Sequence, residues 1–98
     1  MKYKIDTKAE KNGIQALICN GSMTIYTVKD LKKDLMKKMT GYPALNLDLK
    51  GVTEIDTAGF QLIIFVRQEA DRLGKKVRIT DVSREISSLF VQYNEKYA

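Results

Sequence analysis

Asp56, Thr57 and Gly59 stand together in "GVTEIDTAGFQLIIF" (51–65), where a carboxylate, a hydroxyl and a glycine separate two apolar segments. Residues of these types, so placed, can do three kinds of chemistry. Either side chain oxygen can accept a hydrogen bond from the unpaired amides of a helix's first turn. The same helix start can hold a free anion. Finally, the Thr57 hydroxyl can accept a phosphoryl group, which adds ~1.5–2 negative charges. A helix N-terminus tolerates such a group, typically by about 0.3–1 kcal/mol. Ala58 and Gly59 complete the frame, and Gly59 lets the turn be tight and the backbone come close to a neighbour.

Other chemistry is poorly provided for. The chain has no histidine and one cysteine, Cys19, which lies in the apolar run "IQALIC" and reads as a buried thiol. There is no Cys-x-x-Cys spacing, so no metal cluster is expected. "DTAG" lacks the glycine-rich length and the lysine of a phosphate-binding loop. The expectation is a non-enzymatic protein with no catalytic residues, no metal and no cofactor, with weak nucleotide or anion binding as an alternative.

The elements around the junction follow from period and punctuation. Lys2 to Ala9 and Ile14 to Cys19 read as two strands joined at Asn12-Gly13. "NGS" (20–22) reads as punctuation after the second. Thr27 reads as the N-cap of a helix carrying Leu31, Leu35 and Met39, stopped by Gly41 and Pro43. "ALNLDL" (44–49) alternates with a strand period, and the strand runs on to Ile55. A second helix spans 58–73, "KKVRIT" (75–80) is a strand, and 81–94 is a helix opening with the capping candidates Asp81 and Ser83. The order β-β-α-β-α-β-α predicts a small α/β fold: one domain over 1–98, a mixed sheet opening with a hairpin, and helices largely on one face.

The second helix then suggests how the junction is used. At about 100° per residue, Gly59, Leu62, Ile63, Val66, Ala70 and Leu73 form a core stripe. Thr57, Phe60, Gln61, Ile64, Gln68 and Asp71 fall opposite. Phe60 and Ile64 are therefore expected at or near the surface beside Thr57, where with Gln61 they would form a partner-binding face. A phosphate on Thr57 would change that face without unfolding the helix beneath it. The competing expectation is that the carboxy-terminal helix or the loop near Gly21 covers them.

Bulk properties narrow the class. Ninety-eight residues with 44% hydrophobic and 30% charged content describe a globular domain rather than a disordered chain. The longest apolar run, Leu62 to Val66, is five residues, far from the ~18 of a membrane span. The amino terminus has no apolar signal core, so a cytoplasmic protein is expected. Net charge is +5, but the densest basic cluster interleaves Lys29, Lys32, Lys33, Lys37 and Lys38 with Asp30 and Asp34, as on a solvated helix face. "GKKVR" (74–78) has no aromatic to stack a base, so nucleic acid is not an expected partner. No register of surface apolar residues argues for a dimer.

The stretch "LNLDLKGVTEIDTAGFQLIIFVRQEADRLGKKVRITDVSREISSLF" resembles the central part of a STAS domain. This fold is shared by anti-anti-sigma factors and the cytoplasmic domains of sulfate transporters. The resemblance is most specific over a hydrophobic strand, Asp-Ser/Thr-x-Gly, an apolar helix, a Gly-ended turn, a strand and a helix ending near "LF". It implies that Thr57 is the phosphoacceptor for a partner kinase that is also an anti-sigma factor, framed by Asp56, Ala58 and Gly59. Two departures stand out: Thr replaces the commoner Ser, and Ala58 occupies a position where a second hydroxyl is frequent. The Asp-Thr-Ala-Gly version resembles STAS proteins of chemotaxis clusters and small subunits of lipid-transport ATPases. It thus implies, as the alternative, a constitutive adaptor bound to a transporter subunit.

Overall fold

Alternation of buried and open side chains organises the sheet. In strand β2 (Ile14–Met23) Gln15, Leu17 and Cys19 are buried while Ala16, Ile18 and Asn20 are half-buried. In β3 (Ala44–Ile55) Leu45, Leu47 and Leu49 do the same between Asn46 and Asp48. This is the period-two pattern of a sheet that packs on one side only. The structure is a computed structural model that describes residues 2–96.

Strand β1 (Tyr3–Ala9) pairs antiparallel with β2 through a 3₁₀ turn at Lys11–Gly13. β3 joins β2 in parallel, and β4 (Lys76–Val82) joins β3 in parallel, giving the order β1-β2-β3-β4. Helices α1 (Val28–Met39) and α2 (Thr57–Arg72) make the two crossovers, and α3 (Arg84–Gln92) follows β4. The expected element order and the mixed sheet are both present. All three helices feed one core with the buried strand residues: Leu31, Leu35 and Met39 from α1, Leu62, Ile63, Val66 and Ala70 from α2, and Ile86 and Phe90 from α3. Among the described residues no helix is long and apolar enough to cross a membrane.

Several local expectations are corrected. "NGS" does not end β2 but lies inside it, as a stretch where the register against β3 slips twice. Gly21 sits at the second slip with a φ of +98°, and a Cβ there would lie 2.5 Å from the Lys2 carbonyl oxygen, so the position suits glycine. Thr27 is buried and does not cap α1 with its side chain. Its hydroxyl donates instead to the carbonyls of Ser22 and Thr24 and accepts from the Thr24 amide, tying the end of β2 to the helix. Asp81 belongs to β4, and Ser83 alone caps α3, accepting from the Ile86 amide at 3.3 Å. Leu73, expected in the core stripe, is 50% exposed because α2 ends at Arg72. Cys19 is buried, and that burial, followed by the charge of Asp48, pushes its thiol up to about 12.

Candidate functional site

The junction after β3 is built around the Asp56 carboxylate. One oxygen accepts from the Gly59 amide at 3.0 Å, which makes Asp56 the N-cap of α2. The other accepts from the Ile25 amide at 2.9 Å, holding the β2–α1 loop against the start of α2. Burial pushes this carboxyl up, but the backbone amides of Ile25, Gly59, Ala58 and Asp56 itself outweigh that and hold it below the ordinary carboxylate range. Asp56 therefore already occupies the anion position that the first turn of α2 offers. A free nucleotide or phosphate at the same amides would have to displace a carboxylate or lie against it, which weighs against the ligand-binding alternative.

Gly59 is where α2 meets β2 backbone to backbone. A Cβ on Gly59 would lie 1.9 Å from the Met23 carbonyl oxygen and 3.0 Å from Ile55 Cγ1. That carbonyl also faces the Asp56 amide at 3.4 Å. The glycine is thus required for close approach, and the junction is rigidly seated on the sheet.

Thr57 is the first residue of α2 and is exposed. Its hydroxyl lies 3.2 Å from the Tyr93 hydroxyl, just past the end of α3. Gln61 is exposed one turn on, and Ile64 is half-buried. Phe60 is not at the surface. It is 3% exposed, stacked on Tyr93 at 5.0 Å between centroids and edge-on to Phe90 at the same distance. The expectation that Phe60 presents itself to a partner is corrected: α3 covers it. The competing expectation of cover by the carboxy-terminal helix holds instead: α3 reaches the side of α2 and turns Phe60 into core.

Thus the structure brings Asp56, Thr57, Ala58 and Gly59 into one turn, and places Thr57, Gln61 and Ile64 along the outer side of α2. Two neighbouring features of the site went unnoticed in the sequence, the Ile25–Tyr26 pair and Tyr93. Ile25 and Tyr26 are 62% and 84% exposed on the loop that Asp56 anchors. In "TIYT" neither strand nor helix period gives them away; only two apolar residues bracketed by hydroxyls mark the spot. Tyr93 is the second, visible in sequence merely as a helix residue.

Comparison with known proteins agrees with this geometry. A protein-family model described as "Mlab, STAS domain" matches residues 8–95. No curated protein matches the chain in sequence. Among solved structures, the Bacillus cell fate determinant SpoIIAA in its phosphorylated form superposes with a TM-score of 0.69 at 10% identity, over 93% of this chain and 83% of that one. An anti-sigma factor antagonist from Mycobacterium paratuberculosis gives 0.69 at 14%, over 95% and 82%. The murine anion transporter Slc26a9 gives 0.75 at 12%, over 86% of this chain but 14% of the transporter. At such identities the likeness is one of fold.

Proposed function

We propose, from the premise that the chain belongs to the STAS-domain family, that it is a non-enzymatic regulatory module of the cytoplasm. It binds a protein partner along the outer side of α2 through Thr57, Gln61 and Ile64, and phosphorylation of Thr57 switches that binding. The partner is of the anti-sigma factor and serine/threonine kinase type. The observation that carries this reading is the exposed Thr57 hydroxyl on a capped βα junction locked to the sheet by Asp56 and Gly59. A similar fold is known in a phosphorylated form, which supports it. Phe60 supports the face from beneath.

A phosphate on Thr57 would meet the positive end of α2, partly offset by the neighbouring Asp56 carboxylate, so folding changes little. An incoming partner, by contrast, meets ~1.5–2 added negative charges at the centre of the contact. One observation favours a second reading, the constitutive adaptor of a chemotaxis cluster or lipid-transport ATPase. The Thr57–Tyr93 hydrogen bond gives the hydroxyl a structural task that needs no phosphate.

Affinity capture from the source organism's lysate, with wild type, Thr57→Glu and Gln61→Arg as baits, separates the two. A kinase-like or sigma-related protein held by wild type and lost with both variants supports the switch. Transporter subunits held by wild type and by Thr57→Glu alike, and lost with Gln61→Arg, support the adaptor.

A further inference from the structure

In sequence the lysines of α1 alternate with aspartates; on the helix four of them gather on one side, while Lys38 falls with Asp30 and Asp34. At about 100° per residue, Lys29, Lys33 and Lys37 form one stripe with Lys32 and Met36 along its side. Asp30 and Asp34 fall on the flank toward β1, where Asp34 accepts the Tyr3 hydroxyl at 2.5 Å. Lys29, Lys32, Lys33 and Lys37 are all exposed. Among the described residues none of them forms an ion pair; the two pairs present, Lys4–Asp6 and Arg72–Glu69, lie on other elements. On the α2 side the stripe is backed by an aromatic ring rather than an acid, with the Lys32 ammonium 4.2 Å from the Phe65 centroid.

An exposed apolar turn precedes the helix. The Val28 amide donates to the Thr24 carbonyl and the Leu31 amide to the Thr27 carbonyl, at 2.9 and 3.0 Å. A hydrogen-bonded turn at 24–27 thus leads into α1 and puts Ile25 and Tyr26 just ahead of Lys29 in the chain. These are the exposed apolar residues of the loop that Asp56 pins, and Lys2 adds a further cation 5.8 Å from the Tyr26 ring. One edge of the molecule thus carries an apolar, aromatic tip followed by a row of unpaired lysines.

We propose that this edge docks on an anionic lipid bilayer surface, with Ile25 and Tyr26 entering the headgroup boundary and Lys29, Lys32, Lys33 and Lys37 lying over acidic headgroups. Charge complementarity selects an anionic occupant, and each lysine near such a surface contributes about five-fold in affinity. The aliphatic Ile25 beside Tyr26 favours a bilayer: a nucleic acid could stack on the tyrosine but gains nothing from the isoleucine, whereas an interface accommodates both and lets lysine stems lie along it. The inference goes beyond the partner-binding reading and does not use Thr57.

Co-sedimentation with vesicles of phosphatidylcholine, alone or mixed with phosphatidylserine, tests it. Wild type is expected to bind the mixed vesicles only, and to be released by salt. Lys29→Gln with Lys33→Gln should weaken binding by roughly 25-fold, and Tyr26→Ser should weaken it too while leaving heparin binding unchanged. The control Lys76→Gln with Arg78→Gln, which removes the same charge from exposed positions on β4, should have little effect. Absence of binding to phosphatidylserine vesicles would overturn the proposal. So would a control pair as damaging as the α1 pair, or a Tyr26→Ser variant that binds vesicles like wild type, since either would leave only unspecific charge attraction.

Discussion

Tyr93 lies flat on Phe60, with centroids 5.0 Å apart and 22° between the rings, while its hydroxyl stands 3.2 Å from that of Thr57. One residue after α3 thereby seals the core and touches the candidate phosphoacceptor. The chemistry of the junction and the packing of the last helix are physically continuous.

Phe60 is accordingly a stability residue. Phe60→Ala should cost about 3–5 kcal/mol, since it removes a buried ring and leaves a cavity between Phe90 and Tyr93. That is much of the ~5–15 kcal/mol available to a small domain. Gln61→Ala, one residue on but exposed, should stay within about 0.5 kcal/mol. Urea unfolding of the pair checks this; equal midpoints would show that Phe60 is not core.

Gly59→Ala should be destabilising even though alanine favours helices. The added Cβ meets a backbone carbonyl, that of Met23, which cannot swing away like a side chain. The start of α2 must lift from β2, at a cost of about 1–3 kcal/mol. Thermal unfolding measures it, and a raised Tm would contradict the close approach.

The Asp56 carboxyl is held below its ordinary range in the folded protein, so it binds protons more weakly folded than unfolded. Its contribution is fully present above the unfolded pKa of ~3.9 and is lost as pH falls through the lower folded value. Asp56→Ala should cost about 0.5–2 kcal/mol at neutral pH, and the gap to wild type should shrink below pH ~4. Denaturant titrations at neutral and acid pH would show this. A gap that widens on acidification would mean that the charged form is not the stabilised one.

Cys19 should be inert toward thiol reagents in the native state, because burial and the charge of Asp48 push its thiol up to about 12. Labelling should follow unfolding, speeding up with denaturant as the protein opens. Rapid labelling without denaturant would place Cys19 outside the core.

These outcomes separate what the sequence made legible from what it hid. The period-two strands, the element order and the Asp-Thr-Ala-Gly turn were visible because each is a local pattern. Phe60 was misplaced because its burial depends on Phe90 and Tyr93, some thirty residues away. Thr27 has the composition of an N-cap, but its hydroxyl is recruited by Ser22 and Thr24 to fasten β2 to α1. Ile25 and Tyr26 carry no period at all. The gathering of Lys29, Lys32, Lys33 and Lys37 on one side of α1 was implicit in the spacing, but the direction in which that side faces came only from the Tyr3–Asp34 contact and the Phe65 ring.

The central claim concerns Thr57, and phosphate mapping tests it most directly. The protein would be purified from its own cells across growth conditions and its peptides sequenced by tandem mass spectrometry. The account predicts a single phosphoryl group on Thr57 in a condition-dependent fraction of molecules, with the partner bound by the unmodified fraction only. Thr57 unmodified in every condition, or a partner held equally by both forms, would contradict it.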